Sequence, residues 1–201
     1  GTNGLVYQQL IIPLPALPDA LLAQLPFFAQ MLTEVGIGEK SFTDVQHLQS
    51  EVVGSISAFT SIRGDVNNAQ DLTAYLVISA KSLVRQHQAM ADLLKATFEN
   101  ARFDELDRLR DMISQSRSRR EQSITGNGHS LAMTAASAGL SPLAALSEQW
   151  SGLTGIKTLK KLDKSLTDSA QLQALADALT AIHTAVKTMP VSLLTVAEKE
   201  H

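Results

Sequence analysis

Ser55-Ile56-Ser57-Ala58-Phe59-Thr60-Ser61-Ile62 alternates with period two, the pattern of a strand with one face buried. The next segment, Arg63 to Asp71, is polar and contains Gly64, Asn67 and Asn68, so it reads as a turn. Thr73 to Leu83 then alternates in part, as a second strand. Two neighbouring strands with a polar connection predict an antiparallel hairpin. Two further strands are expected near the ends of the chain. Leu5 to Leu14 is rich in β-formers and stops at Pro13, Pro15 and Pro18, and Val191 to Ala197 reads as a closing strand.

Between these strands the apolar period is helical. Asp19 is the expected N-cap of a helix through Val35, with Pro26 kinking or splitting it and Gly36 and Gly38 ending it. Ser41 or Thr43 can cap the next helix, and Gly54 breaks it. Gln86 to Asn100 places Met90, Leu93, Leu94, Thr97 and Phe98 on one side. Asp104 opens a long helix running toward Ile124, with Arg108, Asp111, Arg117, Arg119, Arg120 and Glu121 on its charged face. Gly126-Asn127-Gly128 interrupts it with glycines expected at positive φ. A small-residue stretch follows from Leu131 to Ala145, divided by Gly139 and Pro142, and then short helices at Leu146–Trp150 and Ile156–Leu166. From Asp168 to Lys187, one stripe is formed by Leu172, Leu175, Leu179, Ile182 and Val186. The order predicts an α+β fold: a small, mainly antiparallel sheet with helices packed on one face.

At 201 residues, 44% hydrophobic and 18% charged, the chain is an ordinary soluble globule, and one this size buries about 70% of its unfolded surface. A net charge of -3 implies no broad attraction to nucleic acid or to an anionic membrane. With no cysteine, disulfides and thiolate zinc sites are excluded, and the redox compartment stays open. No apolar run reaches the roughly 18 residues of a membrane span. The start Gly1-Thr2-Asn3-Gly4, without Met, suggests a segment of a longer protein.

Chemistry is sparse. His47, His87, His129, His183 and His201 stand in no metal-binding spacing, and the adjacent Glu200-His201 lies at a terminus. Gly126-Asn127-Gly128-His129 precedes a helix, as a phosphate loop would. However, no Lys-Ser/Thr pair follows, so a plain helix break is the preferred reading. Lys157, Lys160, Lys161 and Lys164 share a helix face, which reads as a solvated stripe. No G-x-S-x-G elbow is present. Trp150, the only tryptophan, reads as a core or interface anchor. No residue is assigned a catalytic, cofactor-binding or metal-binding role.

Several motifs, in order, resemble one peptidase family. The run from Ser118 to Met133, a polar helix giving way to Gly-His and a small-residue helix, resembles a segment of the presequence-protease branch of the pitrilysin/insulinase metallopeptidases. Leu32-Thr33-Glu34-Val35-Gly36 resembles that branch's L-T-E-M-G stretch. Gly54-Ser55-Ile56-Ser57 resembles its G-G-I-S strand start, with Val53 in place of the first Gly. Phe103-Asp104-Glu105-Leu106-Asp107-Arg108-Leu109 resembles its F-D-D-x-x-R-L helix opening.

The resemblance implies a metallopeptidase-like (mitochondrial-processing-peptidase-like) domain, with residues 1–201 as a single non-catalytic third domain of a longer chain. In the family's first domain the inverted motif H-x-x-E-H holds zinc and activates water. Counting back from Gly36 puts that motif on Phe27 to Met31, with Phe27 and Met31 in place of the histidines and Gln30 in place of the glutamate. The implied role is a structural, chamber-forming part of a peptide-degrading zinc metalloendopeptidase. Zinc would belong to the parent's catalytic domain. The implied partners are the parent's other domains and peptide substrates in its chamber, with no nucleic acid and no membrane. The alternative is a freestanding peptidase-like interaction protein without catalytic activity, as in the core subunits of respiratory complexes.

Overall fold

The computed structural model describes residues 1–68 and 70–198, so Glu200-His201 lies outside the described residues. The strands are β1 (Leu5–Pro13), β2 (Ser55–Gly64), β3 (Leu72–Leu83) and β4 (Ser192–Val196). They form one sheet in the order β2-β3-β1-β4. β1 runs antiparallel to both neighbours, with Leu10 opposite Ile78 and Leu193. The expected hairpin is present: β2 and β3 are adjacent, and Asp65 N donates to Asp71 O across the turn.

The register explains which face is covered. Val6, Gln8 and Ile12 of β1 are buried, and so are their partners Ser82, Ala80 and Leu76. One residue out of phase, Tyr7 and Leu83 are exposed. With side chains alternating across a strand, the helices therefore cover one face. This is the α+β architecture the strand pattern predicts.

The chain divides into two compact units. The first comprises Gly1–Ser61, Tyr75–Glu105 and the chain from Ala178 on. Its helices are α1 (Asp19–Leu22), α2 (Leu25–Met31), α3 (Phe42–Val52) and α4 (His87–Asn100). α4 packs on β1 and buries Met90, Leu93, Leu94, Thr97 and Phe98, the face its period predicts. A satellite cluster joins Ile37, Val45 and Leu93 under Leu48, Val52 and Ile56.

The second unit is Ile62–Ala74 with Leu106–Asp177. It contains α5 (Leu106–Ser123), α6 (Gly128–Ser137), α7 (Pro142–Ser151) and α8 (Leu153–Ser165). α5 packs on α8, α8 on α7, and α7 on α6. Leu109, Ile113 and Leu159 are fully buried, but α6 and α7 have no buried residue. A Cβ at Gly155 would lie 2.6 Å from the Trp150 carbonyl oxygen, which is why glycine is needed where the α8 backbone passes α7. The unit boundary falls within α9 (Ser169–Lys187), whose apolar stripe, Leu172, Leu175, Leu179, Ile182 and Val186, is buried throughout.

Three local expectations are corrected, and two are resolved. Asp19 does not cap: Pro18 takes the N-cap position, with no side-chain cap bond. The helix expected from Asp19 is split near Pro26, one of the two expected outcomes: α1 ends at Leu22 and Pro26 sits in the first turn of α2, where its missing N–H costs nothing. Asp104 does not open α5, which starts at Leu106; Asp104 instead pairs with Arg102 at 2.9 Å. Gly126 and Gly128 are not at positive φ, which among the described glycines is confined to Gly4 and Gly38. The choice between Ser41 and Thr43 resolves to Ser41, which caps α3 in a reciprocal box with Asp44.

Candidate functional site

The site grows from α2 and the turn after it. Gly36 anchors this turn. Arg102 N donates to Gly36 O at 3.0 Å, and a Cβ at Gly36 would lie 2.7 Å from Lys40 O. Gly38 takes φ +56°, a region that favours glycine, and its N–H reaches Asn100 O. Glu105 accepts from Phe42 N at 3.0 and 3.2 Å and so adds a second carboxylate at the start of α3. These contacts hold the turn that leads from α2 into α3.

α2 turns most of its surface inward. Leu25 and Phe28 are 0% exposed, Met31 1% and Phe27 8%. The Phe28 ring lies 5.5 Å from Phe103 and 6.2 Å from His183, centroid to centroid. His183 Nε2 donates to the Phe98 carbonyl at 2.7 Å, since a carbonyl oxygen can only accept. Burial, mainly, holds its pKa below the ordinary histidine value, with the Lys187 charge adding to the effect; the Phe98 bond opposes it.

The positions on which the resemblance places a zinc motif thus have two fates. Phe27 and Met31 are buried in apolar packing and offer neither imidazole nor carboxylate. Gln30 is half-buried and lines a groove of about 390 Å³ between α2 and strand β2. The same groove is bounded by Pro26, Ala29, Glu34 and residues Ile56 to Thr60. An amide at Gln30 can orient a peptide group by hydrogen bonding but cannot accept a proton from water near neutral pH. These side chains do not fit a zinc ion, and among the described residues no group of three His, Asp or Glu is placed to hold a metal.

The other residues singled out by sequence are scattered. His47, His87 and His129 are exposed, and His87 bonds Val84 O at 2.8 Å. Lys157, Lys160, Lys161 and Lys164 are exposed, and Lys160 pairs with Glu121 at 3.2 Å. Arg117 bridges Glu121 and Asp163, each at 2.6 Å. Arg120 donates to the Trp150 carbonyl, and partial burial lowers its pKa. The helix break lies at residues 124–127, and Gly128 and His129 open α6. Sequence reasoning missed the β2 side of the groove. The alternation of residues 55–62 was its signal, but alternation does not say which strand lies at an edge.

The fold is α+β with one sheet, and its α2 is closed by apolar packing with no metal-binding side chain at Phe27, Gln30 or Met31. Residues 1–162 match the model of the family of domains associated with M16 peptidases of subfamily C, and the chain belongs to that family. It is 26% identical over 167 residues to presequence protease 1, chloroplastic/mitochondrial, of Arabidopsis thaliana, a match covering 83% of this chain and 15% of that protein. It is 29% identical over 164 residues to the mitochondrial presequence protease of Danio rerio, covering 80% and 16%. The chain therefore spans about one-sixth of the length of these relatives. Among solved structures it is similar to a peptidase M16 inactive domain from Pseudomonas fluorescens, with TM-score 0.47 and 16% identity over 93% of this chain and 46% of that one.

Proposed function

We propose that this chain, residues 1–201 as one domain, is a non-catalytic, chamber-forming part of a zinc metalloendopeptidase that degrades peptides. One observation carries this reading. The family match covers residues 1–162, and within it the helix that aligns with a zinc motif buries Phe27 and Met31 and presents Gln30. Zinc is held elsewhere in the parent enzyme. The partners are the parent's other domains and the peptides in its chamber. The relatives' length supports a larger parent, since the chain spans only about one-sixth of it.

Metal analysis and a peptide-cleavage assay on this chain test the proposal. The expected result is no stoichiometric zinc and no EDTA-sensitive turnover, with activity appearing when the rest of the parent polypeptide is supplied. Stoichiometric zinc with EDTA-sensitive turnover by this chain alone would overturn it. A natural reading frame close to this chain in length would favour the freestanding interaction protein instead.

A further inference from the structure

We propose that the groove between α3 and α4 binds a medium-chain fatty carboxylate, with the chain on its apolar floor and the carboxylate at Lys40. This goes beyond the non-catalytic reading above and does not depend on it.

The groove follows from how the two helices meet. α3 and α4 run antiparallel: Ile37, ahead of α3, bridges Ala101, just past α4, and at the opposite ends Gln86 Nε2 donates to Glu51 O. α3 lines the groove with Val45, Leu48 and Val52, one stripe at helical spacing. α4 lines it with Leu93 between Ala89 and Ala96. The two alanines are too small to fill the space. A cavity of about 420 Å³ is left above the buried Val45 and Leu93, and a cavity of this size and lining suits a small apolar ligand. The helical rise from Val45 to Val52 is about 10 Å, which matches an extended chain of about eight to ten carbons.

The polar groups at one end select the headgroup. Lys40 and Asn100 come together there, where Gly38 N donates to Asn100 O. Among the described residues, Lys40 is the only Lys or Arg lining the groove. Neither its Nζ nor the Asn100 side-chain amide has a hydrogen-bond or ion-pair partner there. Asp44 feels the Lys40 charge through space, but its carboxylate is bonded to Ser41 N and Oγ. Asp92, the one carboxylate on the groove, accepts from Gln88 Nε2 at 3.1 Å and lies about two turns along α4 from Asn100. An ammonium and an amide at the end of an apolar trough are complementary to a carboxylate.

Titration calorimetry on this chain with decanoate, decanamide, decylammonium and butyrate tests the idea. Decanoate is expected to bind about fivefold more tightly than decanamide or decylammonium, and butyrate too weakly to measure, because it lacks most of the apolar chain. Lys40→Glu is expected to weaken decanoate by about fivefold and to leave decanamide unchanged. Ala96→Phe, which puts a ring into the groove, is expected to abolish binding of all the probes; thermal midpoints check that both variants fold. No binding of decanoate, equal or tighter binding of decylammonium, or an unchanged decanoate affinity in Lys40→Glu would overturn the proposal. Decanoate that binds this chain but is excluded from the full-length parent would assign the groove to a parent segment and overturn it as well.

Discussion

Phe28 and Arg117 each sit at the heart of one unit, and they hold it by opposite physics. Phe28 is wholly buried against Phe103 and His183; its contribution is apolar area and close packing. Arg117 ties α5 to α8 through Glu121 and Asp163, yet its side chain keeps 30% of its exposure, so water and salt weaken the pairing. The contrast reaches whole helices: α2 buries five of its residues, whereas α6 and α7 bury none. The lesson is that α2 has been drawn into the first unit's core, while the second unit adds part-exposed ion pairs and close backbone approach to its buried Leu109, Ile113 and Leu159.

The sharpest way to break the contrast is Phe28→Ala, expected to cost about 3–5 kcal/mol of unfolding free energy in urea. A loss under about 1 kcal/mol would mean α2 is not a core helix. Acidification comes next. The His183 pKa is depressed in the folded state, so the unfolded chain binds more protons below its ordinary value of about 6.5. The stability tied to the neutral ring is present above that value and is lost as pH falls toward the folded-state pKa. Unfolding midpoints measured across this range should show that slope, and His183→Gln should remove it. An unchanged slope would assign it to other groups.

Smaller effects probe caps and charges. Ser41→Ala removes the hydroxyl that accepts from Asp44 N, and a loss of about 1 kcal/mol is expected from thermal melts. For Arg117→Ala the expected cost is up to about 1 kcal/mol, reduced in high salt. A salt-independent cost would show that Arg117 acts by packing. Lys160→Ala should change stability by only a few tenths of a kcal/mol, since Lys160 is exposed where it pairs with Glu121.

Much of this was legible in the residue pattern. The buried faces of α4 and α9 follow from a 3.6-residue period, which depends only on neighbours within a turn or two. The hairpin and the Ser41 cap are local for the same reason. The split at Pro26 was legible as well, because proline is disruptive inside a helix but tolerated in its first turn. Asp104 was misread because Arg102 competes for its carboxylate.

Of the candidate site, the resemblance puts a zinc motif's positions on Phe27, Gln30 and Met31, and their inability to bind zinc was legible because side-chain chemistry is written in the residues themselves. The sequence also supplied the strand and helix periods, because each repeats over a few neighbours. Only the tertiary structure decided that β2 is an edge, that β4 joins β1 rather than the hairpin, and that Gln30 faces a groove while Phe27 and Met31 turn inward. Those outcomes depend on pairings between residues far apart in the chain, where loop closure and shared burial choose among many locally acceptable partners.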